Sequence, residues 1–305
     1  MTNAWLIALD IDGTILRQDE TMSPGVPDAV GRARDAGHEV MLATGRSWMG
    51  THRFLDALEI RPEFVVCSNG AVTMRRIGSA STEDGPAVDG YERWNVETFD
   101  PSAVLSLLHD RLPDARYMVE LGSGQRLYTA ELDDWTLDGG RQVSFAELSS
   151  QEVSRVVVVS PGHDEDDFHR LVQDAGLNEV SYAIGWTAWL DIAPRGVDKG
   201  TALERVREAL GDEGDRVFVA GDGRNDLGMF SWARSVGGRA VAMGQAPDEV
   251  KAAAGEVTGG VEDGGLADAI ERIVLAVPER HFDSLALAQC GSARDEGPAA
   301  GSRGR

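Results

Sequence analysis

The sequence predicts an α/β fold, a doubly wound parallel sheet with a smaller α+β module inserted into it. Three observations carry this prediction. Residues 5–67 alternate short apolar runs with amphipathic segments, the order of a βαβαβ unit. From about residue 90 to 192 the order becomes helix–strand–strand, and it occurs twice. After residue 195 helical segments and buried apolar runs alternate again.

The elements follow in order. Trp5–Leu9 is short and apolar, as a buried strand is. Ser23-Pro24 opens a helix, with Ser23 as N-cap and proline in the first turn, and Gly37 stops it. Glu39–Ala43 is a strand, a helix runs from about Arg46 to Leu58, and Phe64–Cys67 is the third strand. Strands linked in this way lie parallel with right-handed crossovers. Residues 77–90, rich in Gly, Ser, Asp and Glu, read as a connector.

In the inserted module Asp100-Pro101 starts a helix with Val104, Leu107 and Leu108 on one face. Strands follow near Tyr117–Leu121, Leu127–Ala130 and Glu152–Ser160. A helix over Asp164–Ala175 and strands near Val180–Ile184 and Ala188–Ile192 repeat the pattern, and Pro194-Arg195-Gly196 closes the module. Lys199-Gly200 leads a helix that turns Ala202, Leu203, Val206 and Leu210 inward. Strands Arg216–Ala220 and Ala240–Met243, with helices near Pro247–Ala254 and Leu266–Leu275, complete the outer domain. The predicted division is residues 1–84 and 195–283 for the core, 85–194 for the insertion, and a disordered tail over 284–305.

Charge narrows the function. With 29 basic and 51 acidic residues the chain carries −22, which opposes non-specific binding to nucleic acid or anionic membranes. A phosphorylated substrate would meet a repulsive field, so an anion site must be built locally. The two cysteines, Cys67 in an apolar run and Cys290 in the polar tail, offer neither a disulfide framework nor a metal spacing. No signal peptide and no apolar run of membrane-spanning length are read, which makes a cytoplasmic enzyme or binding protein with no evident obligate protein partner the default.

Four loops follow four candidate strands of the parallel sheet, at the edge where open α/β sheets bind ligands. They are Asp10-Ile11-Asp12-Gly13-Thr14, Ala43-Thr44-Gly45-Arg46, Ser68-Asn69-Gly70 and Gly221-Asp222-Gly223-Arg224-Asn225-Asp226. Each has a plain alternative. The first reads equally as a strand-end turn, the second as an N-cap and tight turn, the third as a hairpin signal and the fourth as a calcium-type or polar loop. Lys199 alone reads as a solvated helix-start lysine.

Together they fit phosphoryl transfer, which needs a nucleophile, a hard cation, positive groups for the phosphate oxygens and proton handling. Asp10 and Asp222 can ligate Mg²⁺, with Asn225 or Asp226 as a third group. Thr44 Oγ, the backbone around Gly45 and the Lys199 ammonium can take phosphate oxygens.

The first, second and fourth of these loops, with Gly196-Val197-Asp198-Lys199-Gly200, resemble the four motifs of the haloacid dehalogenase superfamily. Ser68-Asn69-Gly70-Ala71 and Val241-Ala242-Met243-Gly244, followed by Ala246-Pro247, are similar to the Cof-type hydrolases, whose large α/β cap is inserted between the second and third motifs.

The resemblance implies a Rossmann-like core. It also implies a Mg²⁺-dependent phosphatase acting on a small phosphorylated metabolite through an aspartyl-phosphate. Asp10 would be the nucleophile. Asp12 would be the general acid and base, and a metal ligand through its carbonyl. Thr44 and Lys199 would bind the phosphoryl group. Asp222 would hold Mg²⁺ with Asn225 and Asp226 in support, and Gly13, Gly45, Arg46 and Asn69 would sit near substrate. A general acid needs a pKa above that of free Asp, which a neighbouring carboxylate and partial burial would provide.

A phosphotransferase of the same superfamily and an idle metabolite sensor are the alternatives. Gln245 stands where the family often has Asn, and the role of Arg224 is open. Trp94, Trp135, Trp186 and Trp189 of the insertion read either as core residues or as a stacking surface.

Overall fold

The computed structural model describes residues 4–78, 90–131, 139–160, 180–184, 189–212 and 214–276. Residues Met1–Leu275 cluster as one unit, and Ala276–Arg305, with the predicted tail, lies almost wholly outside the described residues. The first elements are β1 (Leu6–Leu9), α1 (Val26–Asp35), β2 (Glu39–Leu42), α2 (Trp48–Ala57), β3 (Phe64–Cys67), β4 (Val72–Arg76) and β5 (Tyr91–Val96). Next come α3 (Ser102–Arg111), β6 (Arg116–Leu121), β7 (Arg126–Tyr128), β8 (Arg141–Gln142), α4 (Phe145–Ser149), β9 (Val153–Val159), β10 (Val180–Ile184) and β11 (Trp189–Pro194). The chain continues through α5 (Lys199–Ala209), β12 (Val217–Gly221), α6 (Leu227–Ser235), β13 (Arg239–Ala242), α7 (Asp248–Ala254), β14 (Glu256–Val257) and α8 (Gly265–Ile273).

β1 pairs in parallel with β12 and β2, and the sheet runs β14-β13-β12-β1-β2, all parallel. A parallel bridge between Ala43 and Val66 brings β3 beside β2. Successive strand side chains face opposite ways. Ile7 and Leu9 therefore join Val26, Val30, Leu266 and Ile270, while Leu6 and Ala8 join Leu203, Val206, Met229 and Phe230. Each fully buried Leu, Ile or Val contributes about 1.5–3 kcal/mol, so both faces hold their helices, and the sheet is doubly wound.

A second sheet, β10-β11-β9-β6-β7-β8, forms the insertion. One face carries Tyr117, Val119, Leu127, Val156, Val158, Leu190 and Ile192 against Leu105 and Leu108 of α3 and Leu148 of α4. The alternate residues, Met118, Glu120, Arg126, Arg155, Val157 and Asp191, occupy the other face.

Several expectations are corrected. α1 begins at Val26 with Gly25 as N-cap at φ 74, and Ser23 instead donates its Oγ to the Val261 carbonyl at 2.6 Å. The Ser-Pro signal is thus answered by Gly25 and Pro27, because Ser23 is held by a distant segment. Tyr91–Val96, read as part of the insertion, pairs antiparallel with β4, itself paired with β3. α6 was not anticipated, and neither were the short α4, β8 and β14. The predicted helix over 164–175, Trp135 and Trp186 lie outside the described residues. Trp94 packs edge-on to Phe64, with ring centroids 4.8 Å apart.

Candidate active site

Parallel pairing brings the carboxyl ends of β1, β2 and β12 to one edge. Asp10 leaves β1 with its N–H on the Ala220 carbonyl, 3.0 Å away. The chain then turns through Gly13 at φ 73, where a Cβ would collide with the Asp222 carboxylate. Only glycine lets the two loops meet there.

Lys199 opens α5, whose start is fixed by a capping box. The Asp198 carboxylate accepts from Thr201 N at 2.8 Å, and Thr201 Oγ1 accepts from Asp198 N at 3.0 Å. The Lys199 ammonium is wholly buried and donates to Asp10 Oδ1 and to Asp226 Oδ1, each at 2.6 Å. Asp226 Oδ2 accepts from the N–H groups of Asp222 (3.0 Å) and Gly223 (2.9 Å). Asp226 therefore folds its own loop and anchors the lysine.

Carboxylate oxygens of Asp10, Asp222 and Asp226 lie within 4.8 Å of one another, all buried. Three carboxylates face one ammonium, which leaves negative charge in excess. Burial raises the Asp10 carboxyl well above its ordinary range, Lys199 opposes the shift, and Asp226, Asp222 and Asp12 add to it. Burial, then the Asp226 charge, push Asp222 up to about 7 against the Gln245 hydrogen bond and Lys199. A buried all-oxygen donor set with uncompensated negative charge fits a hard divalent cation.

Gln245 has a definite place. Its Nε2 donates to the Gly13 carbonyl (2.6 Å) and to Asp222 Oδ2 (3.2 Å), and its Oε1 accepts from Val261 N (3.0 Å). It ties the β1 and β12 loops together. Arg224 pairs with Glu249 at 2.8 Å on the exposed surface.

Asp12 corrects an expectation. It is not partly buried beside the other carboxylates: its side chain is 57% exposed. Arg46 holds it through two bonds, Nε to Oδ2 at 2.8 Å and Nη2 to Oδ1 at 2.5 Å. Arg46 also reaches Glu20 at 3.0 Å, and Glu20 binds Arg53. Thr44 is buried, its Oγ1 accepting from Arg46 N at 3.1 Å.

The predicted hairpin signal and the predicted site residue coincide at Asn69. Ser68, Asn69 and Gly70 join β3 to β4 with φ of 49, 52 and 99, backbone strain of the kind that clusters at functional sites. The turn aims Asn69 both ways. Its Oδ1 accepts from Asn225 Nδ2 at 3.0 Å, and its Nδ2 donates to Asp191 Oδ2 at 3.0 Å. A Cβ on Gly45 would come within 3.0 Å of Asn69 Oδ1. Asn225 thus faces Asn69, while Asp10, Asp222, Asp226 and Lys199 converge.

Sequence reasoning missed Asp191, which is held by Arg155 Nε at 2.8 Å and Nη2 at 2.6 Å, both residues buried. Its one signal is a charge in the apolar alternation of β11. Arg126 donates to Ser47 Oγ, a second contact from the inserted sheet to the loops.

This fold and this buried carboxylate–lysine cluster define a class. A model of the haloacid dehalogenase-like hydrolases matches residues 7–83 and 125–270, and the chain belongs to that family. Within it the chain is a Cof-type hydrolase, an enzyme that cleaves phosphoric monoesters. It is 30% identical over 266 residues to pyridoxal phosphate phosphatase YbhA of Escherichia coli K12, covering 83% of this chain and 93% of that one. It is 25% identical to 5-amino-6-(5-phospho-D-ribitylamino)uracil phosphatase YitU of Bacillus subtilis, covering 87% and 96%. The solved structure of BT1666 from Bacteroides thetaiotaomicron superposes with a TM-score of 0.68 at 22% identity, covering 90% and 96%. Among the described residues no helix is long and apolar enough to cross a membrane.

Proposed function

We propose that the enzyme is a Mg²⁺-dependent phosphatase that hydrolyses a small phosphorylated metabolite through a phosphorylated Asp10. The observation that carries this reading is the buried contact of Lys199 with Asp10 and Asp226 beside Asp222. Residues 1–84 and 195–283, with the strand Tyr91–Val96 paired to β4, act as the catalytic core, and the rest of 85–194 acts as the cap that selects the leaving group. The relatives' named substrates, a pyridoxal phosphate and a phosphoribityl compound, support a compact polar leaving group.

An Asp10 oxygen attacks phosphorus and the ester P–O bond breaks. Asp12 gives a proton to the departing oxygen. Water then attacks the phosphorus of the acyl phosphate, Asp12 takes its proton, and phosphate leaves with Asp10 regenerated. Lys199 holds the Asp10 carboxylate and meets charge developing on the phosphoryl oxygens, with Thr44 Oγ1 and the backbone at Gly45 as further donors. Asp12 is delivered by Arg46, and Asn69 lies between leaving group and cap. Asp10, Asp222 and the Asp12 carbonyl would hold Mg²⁺, with Asn225 and Asp226 in support. When bound, the ion supplies charge neutralisation.

Phosphate release from a panel of phosphomonoesters, with no acceptor alcohol present, tests the reading and separates hydrolysis from transfer to a second substrate. Turnover is expected with Mg²⁺ and is expected to vanish with EDTA. Activity that persists in EDTA would overturn the metal assignment.

A further inference from the structure

Glu120 is buried in the inserted sheet at 1% exposure, yet its Oε2 accepts no hydrogen bond. Arg126 Nε stands 3.8 Å from that oxygen. In register, Glu120 of β6 lies opposite Arg126 of β7 and opposite Arg155 of β9. All three share the face turned away from α3 and α4.

That face meets the catalytic loops. Arg126 reaches Ser47 beside Arg46, and Asp191 beyond Arg155 reaches Asn69. The charges of Glu120 and Arg155 both bear on Cys67, the residue before the Ser68–Gly70 turn. Asp191 is satisfied by Arg155 and Asn69, whereas Glu120 keeps a buried acceptor short of a donor. Such a group costs free energy unless something supplies the missing bond.

We propose that Glu120 determines specificity by accepting a hydrogen bond from the leaving group of the phosphomonoester. The inference rests on the phosphatase reading above and deepens it. The substrate class is a phosphomonoester whose leaving group carries an O–H or N–H donor several atoms from phosphorus. Polyols and protonated amines share that chemistry. Arg126 pairs with Glu120 at 3.8 Å, and the charges of Arg155 and Arg93 also bear on it.

The test compares kcat/KM for wild type, E120Q and E120L. p-Nitrophenyl phosphate, whose leaving group offers no donor, is set against ribose 5-phosphate as hydroxyl donor and pyridoxamine 5′-phosphate as nitrogen donor. The wild type is expected to prefer at least one donor-bearing ester. E120Q is expected to lower kcat/KM on that ester about 10-fold, mainly through KM, and E120L further, with p-nitrophenyl phosphate unchanged within about 2-fold. Which ester loses more identifies the donor. Equal losses on all three esters would assign Glu120 to folding alone and overturn the proposal, as would no loss on any. A wild type that cleaves only p-nitrophenyl phosphate overturns it too. If the wild type releases no phosphate from any ester, the phosphatase reading fails, and the role of Glu120 falls with it.

Discussion

The core and the inserted sheet each bury charge, and they treat it in opposite ways. In the core, Asp10, Asp222 and Asp226 share one ammonium, so negative charge is left over. In the insertion, Arg155 and Asp191 pair through two hydrogen bonds with the charges matched. The first arrangement sacrifices stability for a cluster whose charge fits a cation. The second consumes its charges in fixing one sheet and in holding Asn69 from above.

Substitutions at the two places should therefore move stability in opposite directions. Asp10→Asn removes a buried, under-compensated carboxylate, which is also the proposed nucleophile. Phosphate release should fall at least about 1,000-fold, while the metal-free protein keeps or gains thermal stability. Residual turnover near wild type would break the contrast at its root. Asp191→Ala should do the reverse. It takes the bidentate partner from a buried guanidinium and costs about 3–5 kcal/mol in urea unfolding. A change below about 1 kcal/mol would mean that the Arg155–Asp191 pair carries little of the insertion's stability.

A smaller effect is expected at Gln245. Gln245→Ala frees Asp222 and the Gly13 carbonyl from each other, and the Mg²⁺ concentration for half-maximal activity should rise about 10-fold. Direct calorimetric titration with Mg²⁺ should give the same factor, since the ligand atoms themselves remain. The smallest effect concerns the seam between the regions. Burial pushes the Cys67 thiol up to about 12, so iodoacetamide at pH 8 should leave Cys67 unmodified in the native enzyme by peptide mapping. Alkylation at the rate of a free cysteine would show that the seam opens.

The same contrast explains what was legible in the sequence. The core site is written as contiguous loops, each directly after an apolar strand. Asp10, Asp222, Asp226 and Lys199 could be gathered because parallel topology sends every strand end to one edge. Even so, the pattern gave Asp12 the wrong surroundings, because the bond from Arg46 depends on how the β2 loop and the 17–22 loop fold together. The role of Gln245 was unreadable for a similar reason, since its three partners come from three segments.

In the insertion the informative contacts are cross-strand. Glu120 meets Arg126 and Arg155 only through register, and a one-residue shift would turn the whole row to the opposite face. Tyr91–Val96 reads as part of the insertion because the residues before it look like a linker, while its pairing with β4 depends on a partner across that gap. The composition of a segment says little about which sheet it joins.

Asn69 has a practical consequence for anyone who wishes to re-engineer this enzyme. Its amide is a two-sided connector, taking the Asn225 side on one edge and Asp191 on the other. A transplanted insertion would have to offer a carboxylate at the height of Asp191, or the connector would turn and the loop bearing Asp222 would lose its alignment. Modularity in this molecule is therefore conditional: parts can be exchanged only between donors that keep the same plug.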